Sequence, residues 1–431
     1  MIKFNEMDTQ ISSFEERFNN FLKKRNLITK DVRNSVHEII NNIRERGDQA
    51  LQEYTEKFDG FERGEFLVSK NEIDNALKDI DTELIQSLEY AFDRILSYQS
   101  KCFNSLDLES FDERISRKFR IIDSLGMYIP GGKASYPSTV LMGAAPAIAC
   151  GVNNISIASP TQNGALNPLT IAAAKVAGID RIFKIGGAQA IAAMAIGTKQ
   201  VEKVDKIIGP GNIFVAEAKK QLFGEVGIDS IAGPSEIVVF ADKTSDPETI
   251  AWDLMAQSEH DKDASSILVC SCEKIINSVK DIIEKEIISL ERYSIIKDSI
   301  ESNGMIFRIR ENLQAKDIIN SIAPEHLHIA FDHENYEDEN QLVAGLVLKG
   351  RVSANSFSDY VLGPSHILPT NSSSKFSSPL SVEDFLVSYS FVSLDKNNTD
   401  ELEEYIKHTS RIAKYEGLTA HAISAEKRLK D

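Results

Sequence analysis

Apolar residues recur at helical spacing through the first quarter of the chain. Between Asp31 and Arg46 they fall three and four apart and stop before Gly47, which predicts an amphipathic helix closed by a glycine. Charged, helix-forming text continues to about residue 125 and reads as scaffold. From Gly126 to Phe240 the pattern changes, and a β-branched run, a Gly-rich turn and an Ala-rich helix recur. Ile155–Pro160 precedes a helix at Leu169–Val176, Ile182–Gly187 precedes Ala190–Ile196, and Lys206–Asn212 precedes Phe214–Phe223. Strand, loop and helix in series require a parallel sheet with right-handed crossovers. A second series follows, with Glu236–Ala241 and Ser266–Cys272 as predicted strands and Pro247 as the first helical residue behind Asp246 as cap. The Ser-rich stretch 371–378 has too little apolar content to bury a core and is predicted to be a linker. Beyond it lies a small helical tail, its helix running from Asp400, behind Thr399 as cap, to Tyr415 before Gly417.

The chain has 431 residues, 42% hydrophobic and 26% charged, a composition for several packed units rather than a disordered polymer. Its net charge of −17 repels nucleic-acid phosphates and anionic membrane surfaces, so neither is an expected partner. The charge is uneven, because Gly126–Phe240 holds 9 basic and 7 acidic residues while the remainder carries the whole acidic excess. That shift suggests a separate domain. The first residues lack a basic segment followed by an apolar run, which points to a cytoplasmic protein. The longest apolar stretch, Thr139–Val152, is interrupted by Pro146 and falls short of the ~20 residues of a membrane span. Cys102, Cys150, Cys270 and Cys272 form no disulfide framework and suit a reducing compartment. Period-2 geometry puts Cys270 and Cys272 on one strand face, as ordinary thiols rather than metal ligands.

Gly209–Asn212 lies between a strand and a helix, where unpaired N–H groups and the helix dipole favour an anion. Gly186–Gln189 and Gly131-Gly132 occupy equivalent positions. One glycine pair is usually just a tight turn, but three loops at the carboxyl end of a parallel sheet mark a ligand-binding edge. The dinucleotide fingerprint with its acidic partner is absent, so this pattern says only that the ligand is anionic. Gln257 and His260, three apart near a helix end, share a face and could share an ion, although no HExxH or Cys-pair spacing supports them and a capping or surface histidine is the simpler reading. Asp359 and His421 could complete a mixed nitrogen and oxygen site. Glu325-His326, after Pro324, suits general acid/base work, with a solvated loop as the alternative. His328 reads as structural.

Taken in order, Tyr128–Gly132, Gly186–Gln189, Gly209–Asn212, Ala232–Glu236, Gln257–His260, Ala323–His326, Asp359-Tyr360 and Leu418–His421 resemble the histidinol dehydrogenases over nearly the whole chain. The resemblance implies an α/β fold of two Rossmann-like parallel-sheet domains with small helical N- and C-terminal segments, in an intertwined homodimer. Its divisions would be a helical segment at 1–22, a first α/β domain at 23–126 with 237–377 carrying most zinc and catalytic residues, a second at 127–236 with the NAD loops, and a tail at 378–431 serving the partner's active site. It implies one Zn²⁺ per subunit on Gln257, His260, Asp359 and His421, the last from the partner subunit. It implies NAD contacts from Tyr128, Gln189 and Asn212. L-histidinol would meet Ser235, His326, His366 and Glu416 together with the metal ligands. The implied reaction oxidises L-histidinol to L-histidine through L-histidinaldehyde, with His326 as base and Glu325 activating water; four electrons leave, two to each of two NAD molecules. Ser365, where the family pattern leads one to expect Asn, and Leu386–Tyr389, in place of a more basic stretch, bear on the pocket shape and the tail contact. Two rivals are a paralogous zinc- and NAD-dependent dehydrogenase of another small alcohol and a non-catalytic zinc- and nucleotide-binding protein.

Overall fold

The computed structural model describes the chain except for residues 1, 25–29, 61–63, 79, 107–113, 132–135, 163, 333–340, 395–398 and 430–431. The chain forms two compact units, one of Met1–Ser105 with Ile121–Phe385, the other of Leu106–Arg120 with Leu386–Asp431. In chain order the strands begin with β1 (Glu6–Asp8), β2 (Ile115–Ile121), β3 (Ser124–Tyr128), β4 (Asn154–Ala158), β5 (Ile182–Phe183), β6 (Lys206–Ile208) and β7 (Gly227–Ile228). They continue with β8 (Glu236–Ala241), β9 (Ser265–Cys270), β10 (Met305–Arg308), β11 (His326–Ile329), β12 (Leu346–Lys349) and β13 (Leu386–Val392).

The large unit holds a six-stranded sheet in the order β1-β10-β9-β8-β11-β12 and a five-stranded sheet in the order β5-β4-β3-β6-β7. Every neighbouring pair in both runs parallel, as the serial strand-loop-helix pattern requires. β8 and β9 are buried at all their positions, which is why Ile237–Ala241 and Ile267–Cys270 run apolar without alternation. The predicted helix before Gly47 spans Lys30–Arg46, and Gly47 sits at φ 55°, where glycine is unstrained. The Ala-rich helix Gly187–Ile196 is buried along nearly its whole length, its short side chains letting it lie close on the sheet. Asp246 caps the helix Pro247–Ser258 by accepting the Glu248 N–H. No helix among the described residues is long and apolar enough to cross a membrane, and the run at Thr139–Val152 folds largely as the buried helix Pro137–Cys150.

Four local expectations are corrected. The N-terminal segment is not purely helical, since Glu6–Asp8 adds an edge strand to the six-stranded sheet. The tail likewise contains a strand, β13, paired with β2 in the small unit, beside the helix Thr399–Tyr415. Strand β9 ends at Cys270, and Cys272 stands at the N-cap of the following helix rather than on the strand. The Ser-rich stretch is no linker. Ser372 Oγ donates to Ile322 O at 2.7 Å and Ser374 Oγ to Pro324 O at 3.2 Å. Its hydroxyls tie it to carbonyls of the helix end and turn that lead into Glu325, a role that composition does not report.

Candidate active site

The amino ends of β8 and β11 lie side by side, with His326 opposite Ile237. Glu325 and His326 are buried there, at 7% and 3% exposure. The Glu325 carboxylate accepts the Glu236 N–H at 2.8 Å. His326 Nδ1 lies 3.3 Å from Glu236 O, and since a carbonyl only accepts, Nδ1 carries the proton in that contact. Nε2 faces Asp359 Oδ1 at 3.6 Å and has no hydrogen-bond partner. Burial works against the imidazolium, but the carboxylates of Glu325 and Asp359 outweigh it and push the His326 pKa up to about 10.

The turn that delivers this pair is strained. The helix Asn312–Ile322 ends on Ala323 at φ 44°, a left-handed conformation that costs a residue with a Cβ roughly 1–2 kcal/mol. The Ser-rich segment grips the carbonyls on either side of Ala323, and the N–H of Asn371 reaches Glu236 Oε2 at 3.3 Å. The segment predicted to be a tether is the buttress of the site.

Gln257, on the last turn of Pro247–Ser258, is 1% exposed. Its Oε1 accepts from Asn355 Nδ2 at 3.1 Å, and the same nitrogen lies 3.4 Å from Asp359 Oδ2. Burial opposes ionisation of Asp359, yet His326, His366 and His260 around it hold its pKa below the usual range. His260 follows just beyond the helix, its carbonyl accepting from Arg292 Nη2 at 3.3 Å. Among the described residues no three His, Cys, Asp or Glu side chains gather as a metal cluster by themselves. Gln257 and Asp359 meet through Asn355, and the His260 ring lies near enough to bear on the Asp359 charge; an amide oxygen, an imidazole and a carboxylate are donor types that suit zinc.

His366 bridges to the second sheet. Its Nδ1 donates to Asp359 O at 3.0 Å, and its Nε2 lies 3.2 Å from the hydroxyl of Thr139, on the helix that follows β3. Burial depresses its pKa despite the nearby Asp359. Ser365 is buried, its hydroxyl accepting the Ile367 N–H at 3.1 Å. Ser235 is half-buried just before β8.

At the carboxyl ends of the five-stranded sheet, Tyr128 is buried and its hydroxyl accepts the Gly187 N–H at 3.2 Å. Burial, helped by Asp59, pushes its pKa up to about 12. Gln189 is 1% exposed and its Nε2 has no partner. Gly209, at φ 111°, approaches so near that a Cβ there would stand 2.1 Å from Tyr128 O. The expectation of unpaired N–H groups is corrected for Gly186, Gly187, Gly209, Phe214 and Val215. Asp59 Oδ2 takes the Gly186 N–H at 3.0 Å, Asp229 Oδ2 takes that of Gly209 at 2.8 Å, and Asn212 caps its own helix through the N–H groups of Phe214 and Val215. Gly132 lies outside the described residues.

One neighbourhood thus joins Glu325, His326, Gln257, His260, Asp359 and His366, and a second joins Tyr128, Gln189 and the Gly209–Asn212 loop. Glu416 and His421 are exposed residues of the small unit. Sequence reasoning missed Asn355, Thr139 and Asp59. Only Asn355 left a trace, its spacing of four from Asp359 on the helix Asn355–Tyr360. His328 is structural as expected, its nitrogens held by Asp253 Oδ2 at 2.7 Å and Gly350 O at 3.0 Å.

Residues 22–429 match the family model described as histidinol dehydrogenase. Among curated proteins, a histidinol dehydrogenase of Pseudomonas fluorescens (strain Pf0-1) is 42% identical over 425 residues, covering 97% of this chain and 95% of that protein. One of Nitrosomonas europaea is 41% identical over 433 residues, 99% of this chain and 100% of its own. A crystal structure of histidinol dehydrogenase from Elizabethkingia anophelis superposes with a TM-score of 0.91 at 33% identity, covering 100% of this chain and 98% of that one.

Proposed function

Because the chain belongs to the histidinol dehydrogenase family and so is an NAD-dependent oxidoreductase of histidine biosynthesis, we propose that it oxidises L-histidinol to L-histidine at the cluster around Glu325 and His326. The observation that carries the assignment of the cluster is the buried His326 ring, anchored at Nδ1 and bare at Nε2. A base needs one nitrogen fixed and the other open to substrate.

Gln257, His260 and Asp359 would hold one zinc ion, with His421 of the partner subunit completing the set in a homodimer. The ion would supply an electrophilic centre that fixes the substrate's nitrogen groups. An ion held by Asp359 would take up one of the two carboxylates that favour the His326 imidazolium, leaving Glu325 as the other. NAD, which would lie against Tyr128, Gln189 and Asn212, would accept a hydride in each of two rounds. His326 Nε2 removes the hydroxyl proton as the first hydride leaves, giving the aldehyde. Glu325 draws a proton from water as it adds to that aldehyde while His326 returns its proton to the carbonyl oxygen, and His326, a free base again, takes the hydrate's proton as the second hydride leaves. Ser235, His366 and Glu416 would hold the substrate in this orientation.

The same proposal divides the chain into α/β domains at 23–126 with 237–377 and at 127–236, between a segment at 1–22 and a tail at 378–431. It places the enzyme in the cytoplasm. The test is a count of NADH released per histidinol consumed. Two are expected; one, with aldehyde accumulating, would end the reading of a single site that completes both oxidations.

A further inference from the structure

The ligand candidates Gln257 and Asp359 come from different helices, and one side chain touches both. Asn355 is 1% exposed, and its Nδ2 lies 3.1 Å from Gln257 Oε1 and 3.4 Å from Asp359 Oδ2. A carboxylate only accepts, so the NH₂ end of the Asn355 amide must face Asp359. That choice also selects the oxygen of the Gln257 amide as the atom turned toward Asn355, with a second lone pair left for a cation. The two hydrogens of the NH₂ group match the two acceptors one to one.

The alternative roles for a buried Asn at this position fail. It does not cap its helix, because Ala354 occupies the N-cap of Asn355–Tyr360. Nor does it serve as a fully satisfied core polar group, since its Oδ1 is buried without a partner, a cost that an apolar residue would not carry. What Asn355 provides is a fixed spacing between a donor at the end of Pro247–Ser258 and a donor on its own helix.

We propose that Asn355 is a positioning residue of the metal site, holding Gln257 and Asp359 so that a divalent cation meets a preformed pair of oxygen ligands. This rests on the reading of Gln257, His260 and Asp359 as ligands. Leucine at this position keeps the volume and loses both hydrogen bonds; serine keeps polarity but is too short to span both partners.

The experiment uses the full-length protein stripped of metal and titrated with Zn²⁺ against a chromophoric chelator, and separately with Co²⁺ followed by its visible absorption. Asn355→Leu is expected to weaken metal binding by about 10–100-fold and to alter the Co²⁺ bands, while circular dichroism remains that of the parent. Asn355→Ser should do the same and stands in if the leucine variant does not fold. Affinity within about twofold of the parent and an unchanged Co²⁺ spectrum in the folded variants would overturn the role. His260→Ala separates the two levels of the argument. If it loses metal while the Asn355 variants do not, only the positioning role is wrong; if it retains metal as the parent does, the ligand set is wrong and the positioning role falls with it.

Discussion

The two parallel sheets of the large unit carry their candidate sites at opposite ends. In the six-stranded sheet the cluster sits at the amino ends of β8 and β11, where Glu236 and His326 begin their strands. In the five-stranded sheet the glycine loops follow the carboxyl ends of β3, β5 and β6. They differ also in how polar groups are met. At the amino-end cluster His326 Nε2 and Asn355 Oδ1 are buried without partners. At the glycine loops Gln189 Nε2 is likewise without a partner, but Asp59, Asp229 and Asn212 occupy the N–H groups of Gly186, Gly209, Phe214 and Val215. Both regions hold unspent side-chain capacity, while the second also fixes its loops through the internal carboxylates of Asp59 and Asp229. The rule that ligands dock at strand carboxyl ends therefore finds the second region and passes over the first.

The strongest test of the contrast removes the open nitrogen. His326→Gln is expected to lower turnover by about 10²–10⁴-fold, the usual worth of a general base, with zinc content and melting temperature close to the parent. Turnover near that of the parent would show that protons move elsewhere, and the amino-end pair would then be no more than a buried polar contact.

The second region should answer in stability. Lys219 is 1% exposed, donates to Gly209 O at 3.0 Å and pairs with the buried Asp229. Asp229→Ala strands that ammonium inside the protein and frees the Gly209 N–H at once, so urea unfolding should show a loss of about 3–5 kcal/mol. A loss below ~1 kcal/mol would mean that the glycine loop does not depend on its internal anion.

What could be read before the fold was seen was local. Apolar β-branched runs located β8 and β9, the cap and proline at Asp246-Pro247 located the helix Pro247–Ser258, and glycines between strand and helix located the loops. The three residues of β1 carry no pattern of their own, since Glu6–Asp8 becomes a strand only by pairing with Ile306–Arg308. The Ser-rich segment failed for a related reason, because composition reports what cannot form a core but not which distant carbonyls a hydroxyl will reach. Asp59 and Thr139 act on residues far along the chain, Gly186 and His366, and no spacing rule connects them. The candidate ligands were visible as residue types, while the amide that joins two of them became visible only in three dimensions.

The smallest effect probes what an internal anion costs. Asp59 ends the helix Asp48–Asp59, and burial raises its pKa to about 6, the Gly186 N–H pulling it only part of the way back. A carboxyl with a raised pKa holds its proton more tightly folded than unfolded. Stability linked to it is thus greatest in acid, falls as pH rises from about 4 to about 6, and is flat above. Asp59→Asn keeps an oxygen for the Gly186 N–H and removes the ionisation. Relative to the parent it should gain on the order of 2 kcal/mol across that window, allowing for solvent near the carboxylate, and should lose the slope. Denaturant unfolding of both proteins at a series of pH values reads this directly. Parallel curves would mean that the Gly186 loop holds its anion without strain, and the case that the glycine loops are fixed by internal anions at a cost in stability would rest on Asp229 alone.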